Sequence, residues 1–208
     1  MQTVDISPPA LSRMEITTEI VKQLRDKTGI SVMQCKKALE ETSGDMEKAI
    51  VLLQKKSAEI AIKKNDRTLG SGVVGAYIHS THRAGCMVEL LCETDFVANN
   101  EEFLTLARDI AMHACATNPQ FLKMEDIDEH AMALAQDMFA KEVEGKPEDM
   151  KAKILEGKLA AYWSERVLLE QAFIKNPDLR IKDLITAAIQ KFGEKTELSR
   201  FARYTVSQ

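Results

Sequence analysis

Aromatic residues are scarce in this 208-residue chain, where they make up 5% of the sequence with a single Trp. Strands and base-stacking surfaces are enriched in aromatic side chains, so the scarcity disfavours an all-β sandwich or barrel and a protein that binds nucleic acid by stacking. The formal net charge of -4 gives no general attraction to nucleic acid or to an anionic membrane. We therefore expect neither a direct nucleic-acid partner nor a membrane partner.

Long hydrophobic runs are also missing, since no stretch approaches the ~20 apolar residues of a membrane span. Residues 1–14 lack the apolar core of a secretory signal and the arginines of a transit peptide. The cysteines, at positions 35, 86, 92 and 115, form no Cys-x-x-Cys pair, which is typical of free thiols in a cytoplasmic protein. We predict a cytoplasmic protein whose residues 1–14, with Pro8 and Pro9, form a disordered tail.

Residues 15–58 carry the spacing and the end signals of three short helices. Gly29 is placed to end the first helix, Ser31 and Gln34 form a capping box for the second, and Asp45 is placed to cap the third. A three-helix unit of this size has a small core and no room for an active-site cavity, so it indicates a binding module. Residues 59–70 are polar and basic, and we predict a helical extension that fades into a linker.

Beyond residue 70 the hydrophobic period changes from that of helices to that of strands. The apolar runs 73–78 and 87–92 flank a polar turn, which predicts a β-hairpin. The alternating segment 196–206 predicts a third strand that pairs with this hairpin. We expect a core domain over residues 71–208, in which a small antiparallel three-stranded sheet packs on helices.

An antiparallel helical hairpin is predicted inside this core domain at about residues 126–164, with a short turn at 144–146. A coiled-coil-like spacing places Ile127, Ala131, Leu134 and Met138 along its seam. The fold class is therefore α+β, with an N-terminal three-helix domain, a sheet-bearing core and an inserted helical hairpin.

Two motifs suggest cofactors but lack the context that a cofactor requires. Residues 70–75 match Gly-x-Gly-x-x-Gly, yet the pattern enters a strand instead of opening a helix, so a dinucleotide site is not expected. His79, His82, Cys86 and Cys92 surround the predicted hairpin turn with spacings that match no common zinc site. We predict no cofactor and no metal.

No combination of residues indicates an enzyme. His113 lies at the edge of the buried face of the long helix predicted after Asn100, where a packed, hydrogen-bonded histidine is the ordinary outcome. No Ser–His–Asp or Cys–His arrangement accompanies it. We therefore do not expect catalysis by this chain.

The loop predicted at residues 93–100 places a bulky aromatic, Phe96, beside the carboxylate of Asp95. Loops run over the surface, where such a pair is unusual. Two interpretations stay open: Phe96 folds back into the core beneath the following helix, or it is an exposed side chain that binds a partner.

Several segments, taken together, resemble the elongation factor Ts family of bacteria over about residues 15–206. The N-terminal segments 24–29 (LRDKTG) and 35–39 (CKKAL) are similar to the family's opening domain, and 92–98 (CETDFVA) resembles its hallmark loop. The later segments follow in the family's order: 110–113 (IAMH), 144–147 (EGKP), 168–171 (LLEQ) and 200–203 (RFAR).

This resemblance implies a guanine-nucleotide exchange factor for elongation factor Tu. It implies that residues 15–58 are a UBA-like domain that docks on the GTPase, with contacts from Arg25, Val32 and Met33. It implies that Asp95 and Phe96 intrude near the Mg²⁺ site of the GTPase and loosen Mg²⁺ and GDP. The further residues that it assigns to partner binding are Thr94 and Val97, which shape the loop, and His113, on the helix behind it.

Two departures from the family pattern qualify what the resemblance implies. Ile30, Ser31 and Gln34 stand where the family usually has Ala, Gly and Asp, which affects the detail of the N-terminal contact. The core domain has one hairpin-and-helix unit, whereas longer members have two, so the resemblance implies a homodimer. The alternative function is a UBA-like adaptor, in which the core is only structural.

Overall fold

The computed structural model of the chain describes residues 16–143 and 147–206. The predicted tail, residues 1–14, and the predicted helical-hairpin turn, residues 144–146, lie outside the described residues. No helix in the described part of the chain combines the length and the apolar character needed to cross a membrane.

Three helices form the N-terminal unit: α1 (Thr18–Thr28), α2 (Val32–Glu41) and α3 (Met46–Lys64). The predicted helix ends are confirmed, although at the predicted capping box the Gln34 side chain accepts from the Ser31 hydroxyl and not from the Ser31 backbone. Gly29 ends α1 in the left-handed conformation with a φ of 69°, and the side chains of Ser31 and Asp45 accept backbone N–H groups at the starts of α2 and α3. The three helices enclose one small apolar core, whose central residues are Leu24, Cys35, Leu39, Ala49 and Leu53.

The third helix extends beyond the predicted unit. Residues 59–64, predicted to lie in a linker, are the last part of α3, and Ile60 and Ala61 pack against the core of the second unit. The Ser57 hydroxyl donates to the side chain of Gln190. The linker is therefore shorter than predicted, and tertiary packing stabilises the helical extension that the sequence predicted.

The main sheet has the predicted three strands: β1 (Ser71–Ile78), β2 (Ala84–Cys92) and the C-terminal strand (Glu197–Thr205). The order β1–β2–C-terminal strand is antiparallel throughout, and the register shifts at Glu89 and Leu90. Between β2 and the last strand the chain forms a small hairpin that the sequence did not indicate, β3 (Ala172–Phe173) and β4 (Asn176–Arg180), so the C-terminal strand is β5.

The described part of the core domain also contains five α-helices, which are α4 (Asp95–Ala98), α5 (Glu101–Thr117), α6 (Glu129–Glu142), α7 (Glu148–Ser164) and α8 (Ile181–Phe192). Helix α5 covers one face of the sheet. It approaches β1 so closely that a Cβ on Gly75 would lie 2.6 Å from the carbonyl carbon of Ala107. Gly75, the last glycine of the Gly-x-Gly-x-x-Gly pattern, therefore permits helix–sheet packing.

Helices α6 and α7 form the predicted hairpin, but its seam differs from the predicted one. Leu134 and Met138 are exposed, whereas Ala135 is buried, and Phe139 meets Tyr162 edge-on with ring centroids 5.5 Å apart. The predicted seam is thus confirmed at Ile127, which is buried, and at Ala131, which packs against the same cluster, and it is wrong at Leu134 and Met138.

Candidate partner-binding surfaces

The hallmark segment forms a short helix, not the predicted open loop. Strand β2 ends at Cys92, and α4 begins at Asp95, with two residues between them. Helix α4 buries Val97 and Ala98 in the core and turns Asp95 and Phe96 outward. The Phe96 side chain is 85% exposed, so the exposed interpretation is the observed one.

Local hydrogen bonds hold α4 in place. The Ser71 hydroxyl, at the start of β1, donates to Asp95 Oδ1 at 2.5 Å. The Asn99 side-chain amide donates to the Asp95 carbonyl at 2.8 Å, and Asn100 caps the start of α5. Phe96 therefore extends from a backbone that is fixed on both sides.

Sequence reasoning missed Glu194, which lies in the turn between α8 and β5. Its carboxylate accepts the backbone N–H of Thr94 at 3.0 Å and the Thr94 hydroxyl at 2.6 Å. The two residues are 100 positions apart in the sequence. No local pattern could indicate this contact, because it exists only after α8 has packed against α3 and α5.

His113 does not lie on a surface. Its ring is fully buried, Nδ1 accepts the backbone N–H of Ile174 at 3.3 Å, and Nε2 pairs with Gln171 Oε1 at 2.9 Å. Because Nδ1 accepts, Nε2 carries the proton and the ring is neutral. Burial lowers the pKa of His113, and the hydrogen bond to Gln171 opposes that shift. The expected direct partner contact of His113 is thus not available in this structure, and its observed role is inside the α5 scaffold.

The N-terminal candidates share one exposed end of the three-helix unit. Arg25 is exposed near the end of α1, and Val32 and Met33 are exposed on the first turn of α2, with Met33 at 79%. Ile30 lies between them in sequence but is 4% exposed and packs in the small core. The bulk of Ile30 therefore points away from the surface that these three residues form.

One cleft of about 480 Å³ separates this end of α1 from the start of α5. Asp26 and Lys27 line one wall, and Glu102 and Lys191, which form an ion pair, line the other. Burial lowers the pKa of Lys191, and the nearby charge of Arg25 adds to the effect. Glu102 also borders the depression beside Phe96, so the two candidate surfaces are neighbours.

The histidines and cysteines around the β1–β2 turn differ in their exposure to solvent. His79 and His82 are exposed in the β1–β2 turn, whereas Cys86 and Cys92 are buried under the sheet. All four cysteines of the chain are free and buried, and burial raises the pKa of Cys86 to about 11. Among the described residues, no group of three or more His, Cys, Asp or Glu side chains could hold a metal ion.

The outer face of the sheet, on the side opposite α5, is uncovered and mainly apolar, with one ion pair, Glu89–Arg200, across it. Its exposed apolar residues come from all three strands: Val74, Ile78, Met87 and Tyr204. The sequence predicted the three strands of this sheet. The structure adds a whole exposed face, which the outward-pointing residues of the alternating strands form.

Comparison with known proteins agrees with these features. A family model described as elongation factor TS matches residues 12–208. An elongation factor Ts from Thermodesulfovibrio yellowstonii is 47% identical over 94% of this chain and 98% of its own length. Those from Carboxydothermus hydrogenoformans and Thermosipho melanesiensis are 45% and 43% identical over 93% of this chain, and over 90% and 100% of their own lengths. This chain therefore belongs to the elongation factor Ts family, whose role is in translation elongation.

Proposed function

We propose that this chain is a guanine-nucleotide exchange factor for elongation factor Tu, and that it promotes GDP release by disturbing the Mg²⁺ site of that GTPase. The observation that supports this most directly is Phe96, which is 85% exposed on a fixed four-residue helix beside Asp95. An aromatic side chain this exposed adds little to its own fold, whereas aromatic side chains dominate the energetics of interfaces.

The proposed mechanism is a linkage between two binding equilibria. A GTPase holds GDP through backbone amides around the phosphates and a Mg²⁺ ion that neutralises their charge. A factor that binds the nucleotide-free GTPase more tightly than the GDP-bound form must weaken GDP binding by the same ratio. Phe96 would displace packed side chains near Mg²⁺, and Asp95 would rearrange the charges there. No covalent step is required of this chain.

The two candidate surfaces would divide this work. Arg25, Val32 and Met33 would dock the three-helix unit on the GTPase; this unit is UBA-like by resemblance. The docking would provide binding energy before the nucleotide leaves. Asp95 and Phe96 would use that energy at the Mg²⁺ site, in the GDP-bound and the nucleotide-free complexes. Thr94 and Val97 would shape α4 from beneath, and His113 would act only by stabilising α5.

We also propose that the chain is a homodimer, joined through the outer face of the sheet. Val74, Ile78, Met87 and Tyr204 leave this face apolar and open. A second copy could cover it with its own identical face, and a stable interface needs ~800 Å² from each partner. Each copy would then supply the second core unit that longer family members contain. We expect this assembly to work in the cytoplasm, without direct contact to nucleic acid.

The decisive experiment measures release of fluorescent GDP from elongation factor Tu, with and without this chain. The proposal predicts a release rate that rises with the concentration of the chain and reaches a maximum. The alternative, a UBA-like adaptor with a structural core, predicts binding without acceleration. Binding measured on the same samples, by fluorescence anisotropy of labelled elongation factor Tu, separates the adaptor from a chain that does not bind at all.

A further inference from the structure

Two acidic side chains join the segment before α4 to the turn after α8. Glu194 Oε2 accepts the backbone N–H groups of Glu93 and Thr94 at 3.1 and 3.0 Å, and Glu194 Oε1 accepts the Thr94 hydroxyl at 2.6 Å. In the opposite direction, Glu93 Oε1 accepts the backbone N–H of Lys195 at 2.5 Å. We call these four residues, Glu93, Thr94, Glu194 and Lys195, the carboxylate clasp.

Helix α4 depends on such contacts because it is very short. It has four residues, whereas isolated helices below ~12–15 residues are marginal in water. Its N-cap residue, Thr94, makes no side-chain cap hydrogen bond to the helix, because the hydroxyl donates to Glu194 instead. The start of α4 is thus fixed from outside by an ionised group, and charge-assisted hydrogen bonds are stronger than neutral ones.

The same clasp is tied to the end of α3. The Arg67 guanidinium donates to both oxygens of Glu93 at 3.1 and 3.2 Å, and Lys195 Nζ donates to the Asn65 carbonyl at 2.7 Å. The bond from the Lys195 backbone is the main reason that the pKa of Glu93 is lowered, and Arg67 adds to the shift. Glu93 therefore keeps its charge at neutral pH, and the clasp connects α4 to both units of the chain.

From this geometry we infer that Glu194 is a positioning residue for nucleotide exchange, an inference that rests on the proposed function. In this role Glu194 acts through the backbone of the chain and not through contact with the GTPase or with nucleotide. It fixes the backbone at Glu93 and Thr94, so that α4 holds Phe96 in one orientation before the partner arrives. Loss of Glu194 would leave Phe96 present but free to sample other orientations, which weakens its action in the exchange step.

The test compares Glu194→Ala with Glu194→Gln and with a control, Glu165→Ala, whose side chain is 80% exposed. We expect Glu194→Ala to lower the maximal rate of stimulated GDP release about tenfold, equivalent to ~1.4 kcal/mol, because three hydrogen bonds to one carboxylate are lost. The half-saturating concentration should change less, because the surface around Met33 is intact. Glu194→Gln retains an acceptor and should lose about threefold or less, and Glu165→Ala should match the wild type.

Combination with Phe96→Ala distinguishes positioning from general stability. If Glu194 acts through Phe96, then Glu194→Ala should have almost no further effect in a Phe96→Ala background. An equal loss in both backgrounds, together with a lower melting temperature, would mean a merely structural role and would overturn the inference. Hydrogen exchange at the amides of Glu93 and Thr94 gives a direct check, since both should lose protection in Glu194→Ala.

The inference and the proposed function fail in different ways. If the wild type does not accelerate GDP release, the proposed function is wrong and the inference falls with it. If the wild type accelerates release and Glu194→Ala does so equally well, only the positioning role is wrong.

Discussion

Replacing Phe96 with Ala should separate the stability of the chain from its action on the partner. The side chain is 85% exposed, so its truncation should change the free energy of unfolding by no more than ~0.5 kcal/mol. The matched control is Phe103→Ala, seven residues later. Phe103 is fully buried and meets Phe192 edge-on with ring centroids 5.7 Å apart, so its loss should cost ~3–5 kcal/mol.

These free energies translate into melting temperatures that are easily distinguished. In a chain of this length, 1 kcal/mol corresponds to ~2–4 °C. Phe96→Ala should therefore melt within about 2 °C of the wild type, whereas Phe103→Ala should melt roughly 6–20 °C lower. Differential scanning calorimetry or circular dichroism provides the measurement.

Stimulated GDP release should show the reverse order. A desolvated aromatic side chain at the centre of an interface is worth ~2 kcal/mol or more, which corresponds to a release rate about 30-fold lower. Asp95→Ala should act in the same direction. Leu104→Ala, which truncates an exposed apolar residue on α5, serves as the surface control and should leave the rate near that of the wild type.

Two results would refute this reasoning. A large fall in the melting temperature of Phe96→Ala, with normal release per folded molecule, would mean that Phe96 acts as a core residue. Unchanged melting and unchanged release would mean that the exposed ring has no part in exchange.

Three further predictions follow from other parts of the fold. Sedimentation of the wild type at micromolar concentration should give about twice the chain mass of 23.3 kDa. Met87→Asp, which places a charge on the outer face of the sheet, should give the mass of the monomer. A monomeric wild type would contradict the proposed dimer. The pKa of His113 in the folded chain lies below the ordinary 6.5, so its contribution to stability is complete above about pH 6.5 and declines as the pH falls below that value. The melting temperature should therefore depend less on pH in His113→Gln than in the wild type. The control, His130→Gln, should keep the pH dependence of the wild type. Gly75→Ala should lower the free energy of unfolding by ~1–3 kcal/mol, whereas Gly157→Ala in α7, where a Cβ meets nothing within 4 Å, should be neutral or stabilising in urea titrations.

The ends of most elements could be predicted from the sequence because local chemistry determines them. Gly29 and Gly193 end α1 and α8 in the left-handed conformation. The third strand was predictable as a strand from its alternation, but the register shift at Ser199 places Leu198 inward and Tyr204 outward, which strict alternation does not indicate. In each of these cases the signal lies within a few residues of the feature that it specifies.

The features that escaped prediction depend on distant parts of the chain or on elements shorter than one hydrophobic period. Helix α4 has four residues, too few for a periodic pattern. The final turns of α3 are stabilised by contacts to α8, and the orientation of Asp95 and Phe96 depends on Glu194. The sequence indicated that Phe96 was unusual but left its exposure open, because burial is a property of the whole fold.

The continuity of α3 has a consequence for how the chain can vary. This helix has 19 residues and is about 28 Å long, and it carries the N-terminal unit at one end and reaches the carboxylate clasp at the other. A flexible linker would tolerate inserted residues, since added length merely gives it more reach. In a helix, one inserted residue turns everything beyond it by about 100° and advances it by ~1.5 Å. The number of residues in α3 therefore sets the angle between the surface around Met33 and the Phe96 ring. Substitutions in α3 preserve this angle, whereas insertions and deletions change it.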